Sequence, residues 1–275
     1  MKKYLILSVV TVCLVCIFSS CNTGDKSGKN LNDSTEIDND LTKMIYPIPT
    51  PFEISQMLQK SGAAYILDLT NPIENAEKYF TEKSKALNLG VYGADLSYTS
   101  TYNKAQDTRG FLGASKKLTD DLGISSMVKQ SLLERAESNL ENKDSLYKIV
   151  SESYYDNFNY LNNNGKGAIA VMVLAGGWIE GLYLSTQIAT LTKDNAKIME
   201  NIGGQKITGN SLVGLLEMHK SNQDVSAVIE MVQKINNTYT DVKQNENDVF
   251  VLSKEQFEKI TKTVTEIRTE ITKVN

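Results

Sequence analysis

The sequence predicts an all-α fold, a single large bundle of about ten to eleven helices, on three observations. Apolar residues recur at intervals of three and four over most of the chain, and no stretch alternates convincingly with period two. Capping side chains, first-turn prolines and glycine stops punctuate these periodic segments. The last two segments also carry matched apolar seams: Val225, Val228, Val232, Ile235, Tyr239 and Val242, then Phe257, Ile260, Val264, Ile267, Ile271 and Val274.

Helix starts are legible at Thr50-Pro51-Phe52-Glu53, Asn71-Pro72-Ile73-Glu74 and Ser253-Lys254-Glu255-Gln256, each with capping-box spacing. Gly62, Gly123 and Asn164-Gly165 follow periodic segments as stops. These signals predict helices near 51–61, 72–87, 91–105, 108–121, 126–140, 143–162, 167–191, 194–202, 209–220, 223–243 and 254–273. The two final seams step three-four-three, a spacing that winds two helices together, so an antiparallel helical hairpin is expected to close the domain.

The chain begins with Lys2 and Lys3, an apolar run from Tyr4 to Phe18, and small Ser19 and Ser20 before Cys21. That order is the order of an export signal, and the run is too short to span a bilayer stably. Ile17-Phe18-Ser19-Ser20-Cys21 resembles the cleavage box of bacterial lipoproteins, with Phe18 where that family usually has leucine. The resemblance implies residues 1–20 as signal peptide, with acyl chains on Cys21 giving palmitate-type membrane anchoring. It also implies the outer membrane, because Asn22 rather than aspartate follows the cysteine. Residues 21–43 are mostly Gly, Ser, Asn, Asp and Lys, with only Leu31, Ile37 and Leu41 as large apolar residues, a flexible tether of about 25 Å reach. Alternating prolines in Tyr46-Pro47-Ile48-Pro49-Thr50-Pro51 then stiffen the start of the helical domain, taken as 44–275.

Composition narrows the chemistry. The 29 basic residues less Lys2 and Lys3 leave 27 against 33 acidic, net −6, which argues against a nucleic-acid partner. All three cysteines, Cys13, Cys16 and Cys21, lie in the N-terminal segment, so the domain has no thiol for a nucleophile or metal. His219 is the sole histidine, which excludes a site needing two within one chain, and its place near a helix end suits a structural role. No cofactor, metal site or catalytic constellation is legible.

Ala168 to Leu191 is almost wholly apolar or small, as a central helix covered by protein on every face would be. Gly177 and Gly181 lie one turn apart on it and let a neighbouring helix approach. Glu180 on this helix must be paired, protonated or facing a wet cavity. Asp95 falls on an otherwise apolar stripe with Val91, Tyr98 and Tyr102. The segments Leu89-Gly90-Val91-Tyr92-Gly93-Ala94-Asp95-Leu96 and Ala175-Gly176-Gly177-Trp178-Ile179-Glu180-Gly181-Leu182 resemble each other, which suggests two pseudo-repeated halves. Convergence of Asp95 and Glu180 would give a site for a cation, an amine or acid–base chemistry, with Trp178, Tyr92, Tyr98 and Tyr183 as ligand-binding candidates. Tyrosines also crowd the segment from Tyr147 to Tyr160.

Through the same two segments the mature region resembles a group of uncharacterised helical lipoproteins of diderm bacteria, a resemblance that implies no activity. The reading that follows is a membrane-anchored envelope lipoprotein whose helical domain binds an envelope partner or serves as a scaffold. A small-ligand or cation-binding protein built on Asp95 and Glu180 is the alternative, and an enzyme using those carboxylates ranks third.

Overall fold

The computed structural model describes residues 48–126 and 130–274, without the side chains of 130–133 and 152–155. The signal, Cys21 and the tether therefore lie outside the described residues. Among the described residues the fold is all-α, with nine α-helices: α1 (Pro51–Lys60), α2 (Glu82–Thr101), α3 (Ala105–Asp121), α4 (Gln130–Ser138), α5 (Lys143–Leu161), α6 (Gly167–Leu191), α7 (Ala196–Glu217), α8 (Gln223–Asn236) and α9 (Lys254–Thr272). A 3-10 helix, Ile73–Lys78, precedes α2, and another, Asn237–Tyr239, follows α8. Strands β1 (Lys243–Gln244) and β2 (Phe250–Val251) pair antiparallel as a small ribbon before α9.

The capping signals act where the sequence puts them at two of three places. Thr50 with Glu53 and Ser253 with Gln256 form reciprocal capping boxes. Gly62, Gly123 and Gly165 all adopt left-handed φ, at 79°, 66° and 75°, which a glycine does without the Cβ penalty. The third start differs. Asn71 caps no α-helix; its side chain turns inward, only a short 3-10 helix follows, and α2 starts instead at Thr81, whose hydroxyl accepts from the Ser84 N–H at 3.0 Å. The segments read as 72–87 and 91–105 thus become one 3-10 helix and one long helix.

A second difference has the same kind of cause. The segments read as 194–202 and 209–220 are one helix, α7, with Gly203, Gly204 and Gly209 inside it. A Cβ on Gly203 would lie 2.9 Å from the Phe250 Cβ, and one on Gly209 2.0 Å from the Asn236 Oδ1, so these two glycines serve close packing rather than termination. The segment read as 223–243 stops at Asn236, ahead of the ribbon.

The centre of the fold is the crossing of α2 and α6. A Cβ on Gly90 would lie 2.1 Å from the Val173 carbonyl oxygen, and one on Gly176 1.9 Å from that of Leu87, so the two backbones touch because glycine removes what would separate them. These are the two segments whose sequences resemble each other. Among the described residues one helical run, 143–191, is apolar and long enough to cross a membrane, but 83% of its apolar window is buried inside the fold. Most of α6 is accordingly hidden, from Ile169 to Ala189.

Two apolar clusters flank the crossing. The larger joins α6, α7, α8 and α9 through residues such as Ile179, Leu215, Val228 and Ile260. The smaller joins α2 to α3, α4 and α5 through Tyr92, Leu96, Phe111, Leu118, Leu146 and Ile149. The two C-terminal seams are buried, with Val225, Val228, Val232 and Ile235 on α8 and Ile260, Val264, Ile267 and Ile271 on α9. Helix α9 packs chiefly on α6 and meets α8 more lightly, with an exposed Lys234–Glu266 ion pair at 3.2 Å.

Candidate functional site

Asp95 on α2 and Glu180 on α6 converge in the interior, and both are fully buried. The third member of the cluster is Arg268 of α9. Its Nε donates to Glu180 Oε2 at 3.0 Å and its Nη2 to Oε1 at 3.1 Å, a bidentate pair of the strong charge-assisted kind. The guanidinium also donates to the Leu69 carbonyl at 3.4 Å and lies 4.7 Å above the Tyr183 ring.

Electrostatics assigns the proton. Burial first, then the neighbouring Glu180, push the Asp95 carboxyl well above its ordinary range. Burial also raises Glu180, while Arg268 and a hydrogen bond with Asp95 oppose that rise. The consistent state is a neutral Asp95 sharing its proton with an ionised Glu180 held by Arg268. That state has no net charge, which is what a buried cluster requires.

Around this centre a polar network fastens three helices to the segment before α2. The Asn71 N–H donates to Asp95 Oδ2 at 3.0 Å. The Asn71 amide donates to the Tyr79 hydroxyl at 3.0 Å and to Asn88 Oδ1 at 3.2 Å. Asn88 in turn donates to the Ile271 carbonyl at 2.7 Å, and Tyr79 to that of Thr272 at 3.1 Å. Two of the final carbonyls of α9, which a helix end leaves without intrahelical donors, are thereby satisfied. Asp95 Oδ1 is buried with no donor aimed at it, as befits the oxygen of a protonated acid.

The aromatic candidates divide. Tyr183 belongs to the cluster through Arg268. Tyr92 donates to the Pro72 carbonyl at 2.8 Å, and the Tyr98 hydroxyl accepts from the Ile66 N–H at 2.8 Å, so both pin the 62–80 segment onto α2. Trp178 donates to Gln205 Oε1 at 2.9 Å and ties α6 to α7. His219 packs against Gly167 just after α7, and burial lowers its pKa. Of the tyrosine-rich segment, the side chains of Tyr154 and Tyr155 lie outside the described residues, and Tyr147 meets Phe52 edge-on at 5.9 Å.

On the other side of the α2–α6 crossing lies an apolar cavity of about 230 Å³. Leu89, Gly90, Gly93 and Leu96 of α2 face Val173, Leu174 and Gly177 of α6 across it, and Phe158 and Leu161 of α5 close one side. Ser115 and Thr119 of α3 supply hydroxyls; that of Thr119 donates to the Ser115 carbonyl at 2.8 Å, whereas that of Ser115 is buried without a partner. Asp95, Glu180, Trp178, Tyr92, Tyr98 and Tyr183 do not line it.

Sequence reasoning finds Asp95 and Glu180 together and misses both Arg268 and the cavity. A signal for the first exists: arginine occurs only at positions 109, 135 and 268 in a lysine-rich chain, and the last stands beside seam residue Ile267. The cavity has a fainter one, since Gly93 sits on a helix face where it costs helix stability and relieves no contact, a Cβ there meeting nothing within 4 Å. No protein-family model, curated protein or solved structure matches the chain.

Proposed function

We propose that the chain is a membrane-anchored lipoprotein of the bacterial cell envelope, held through lipid on Cys21 at the outer membrane, whose helical domain binds a ligand in the apolar cavity beside α2. The support for binding is the cavity itself. It is apolar, about 230 Å³, and reaches the surface on one side, so its walls lack the packing partners that a filled core would give them. An apolar ligand that fills the space recovers that packing.

The alternative, a cation or small-ligand site on Asp95 and Glu180, has one observation in its favour, the Asp95 oxygen without a donor. Against it stands Arg268, which already supplies the positive charge such a site would recruit. The fold is read as two halves meeting at the similar glycine segments, with α8 and α9 as the closing hairpin. In this reading the carboxylates are struts and the cavity is the site.

The lipid anchor is tested by metabolic labelling with an alkynyl palmitate. Label on the wild-type chain and none on Cys21→Ala is expected; equal labelling removes the anchor. The binding site is tested by native mass spectrometry of the full chain released from its host membrane. A mass adduct kept in Asp95→Asn and lost in Gly93→Leu supports the cavity. An adduct lost in Asp95→Asn and Glu180→Gln but kept in Gly93→Leu moves the site to the carboxylates.

A further inference from the structure

The composition of the cavity wall narrows its occupant, granted the reading of the cavity as the binding site. No aspartate, glutamate, lysine, arginine or histidine is among the lining residues, so a charged group inside would have no counter-ion. The wall is leucine, valine, isoleucine, phenylalanine, alanine, proline and glycine, with polar atoms only from Ser115, Thr119 and Asn157. An apolar space of about 150 Å³ takes a benzene-sized molecule, and at about 30 Å³ per water-sized group the present volume takes about seven or eight such groups.

The shape follows from the crossing. Gly90, Gly93 and Gly177 contribute backbone without side chains, so the cavity follows the α2–α6 contact between the two apolar clusters of the core. Gly93, Val150, Asn157 and Val173 on its wall are only half-buried, which brings one part of it to the surface. Inside, the buried Ser115 hydroxyl has a hydrogen to donate and nothing to receive it. Of the seven buried polar atoms without a partner among the described residues, the Ser115 hydroxyl is the one on the cavity wall, where a ligand oxygen would accept from it.

We infer that the cavity binds a single unbranched alkyl chain bearing an uncharged oxygen, an alcohol or an ester carbonyl, that accepts a hydrogen bond from Ser115. A free fatty alcohol and one acyl chain of a lipid ester share this chemistry. Binding needs no covalent step. The Ser115 hydrogen bond orients a chain whose affinity comes from apolar burial.

Photo-crosslinking of the full lipidated chain in nanodiscs tests the inference, with labelled sites mapped by tandem mass spectrometry. One probe is a six-carbon alcohol carrying a diazirine, a second is a phospholipid with a diazirine near the end of one acyl chain, and a third is a compact phenyl diazirine. Label is expected on lining residues of α2, α3 and α6 from the alcohol, from the phospholipid, or from both, and which of the two identifies the source. Gly93→Leu should reduce that label at least tenfold while circular dichroism and the urea midpoint hold or rise. Ser115→Ala should reduce it about two- to tenfold, the range of one neutral hydrogen bond.

Label from both chain probes confined to the anchor and tether overturns the alkyl inference. If the compact probe still marks the lining, the apolar site survives that result; if it does not, both readings fall. Lining label from a chain probe that a folded Gly93→Leu leaves unchanged also overturns the inference, and an unchanged Ser115→Ala removes the oxygen end.

Discussion

The two sides of helix α2 are built on opposite terms. Towards α9 it presents Asn88 and Asp95, and nearly every polar atom there is matched: Glu180 by Arg268, Asn71 by Asp95, Tyr79 and Asn88, and the α9 carbonyls by Asn88 and Tyr79. Towards α3 and α5 it presents Gly93 and Leu96 beside a cavity of about 230 Å³. The charged side is closed and the apolar side is open. On the charged side the counter-ion Arg268 already occupies the place that a cationic ligand of Glu180 would take.

The sharpest way to break the comparison is to remove the counter-ion. Arg268→Met keeps length and apolar volume but leaves the buried Glu180 carboxyl to take up a proton or stay unpaired, and it should cost about 3–5 kcal/mol by urea denaturation at pH 7. A loss below about 1 kcal/mol would show that the cluster is wet and adaptable, as a ligand site would be. Next in size is Gly176→Ala. The added Cβ would stand 1.9 Å from the Leu87 carbonyl oxygen and would force α2 off α6, with an expected loss at the upper end of about 1–3 kcal/mol. An unchanged urea midpoint would mean that the two helices are not held at that contact.

How much of this was legible depends on the range of the interaction concerned. Capping at Thr50 and Ser253 and the glycine turns at 62, 123 and 165 are decided within four residues, so the sequence shows them directly. Asn71 misleads because a buried partner set from Tyr79 and Asn88 outbids the local capping role its Pro-x-Glu context advertises. The break expected between 202 and 209 is absent because a glycine that admits Phe250 or Asn236 looks the same in one dimension as one that interrupts a helix. Asp95 and Glu180 were found by burial logic on two apolar helices, whereas Arg268 follows from neither helix alone. The cavity is a property of packing between α2, α3, α5 and α6, and no periodicity encodes it.

The shared proton supplies a pH test of the closed side. Asp95 has a raised pKa in the folded chain, so above the ordinary aspartate value of 3.8 the native state keeps a proton that the unfolded chain releases. Stability from this group is fully present below 3.8 and is lost as pH rises through the folded value. The slope is negative and approaches 1.4 kcal/mol per pH unit for one proton. Glu180 shifts in the same direction, so part of the slope persists without Asp95. Asp95→Asn carries no titrating proton at that position and should flatten the urea-midpoint profile from the ordinary carboxylate range upward. Parallel profiles for wild type and variant would place the proton elsewhere.

The smallest expected effect has the opposite sign and tests the open side. Gly93 lies in the interior of α2, where glycine costs about 0.5–1 kcal/mol relative to alanine, and a Cβ there meets nothing within 4 Å. Gly93→Ala should therefore raise stability by about 0.5–1 kcal/mol, in contrast to Gly176→Ala on the facing helix. If the gain appears while the chain loses its bound alkyl probe, the position trades stability for open volume, as expected of a residue kept for binding. If the gain appears and binding is untouched, Gly93 does not control the cavity, and its wall must be sought on α3 and α5. A loss of stability instead would mean that the space beside Gly93 is already filled by packing, and the contrast between the two sides of α2 would disappear.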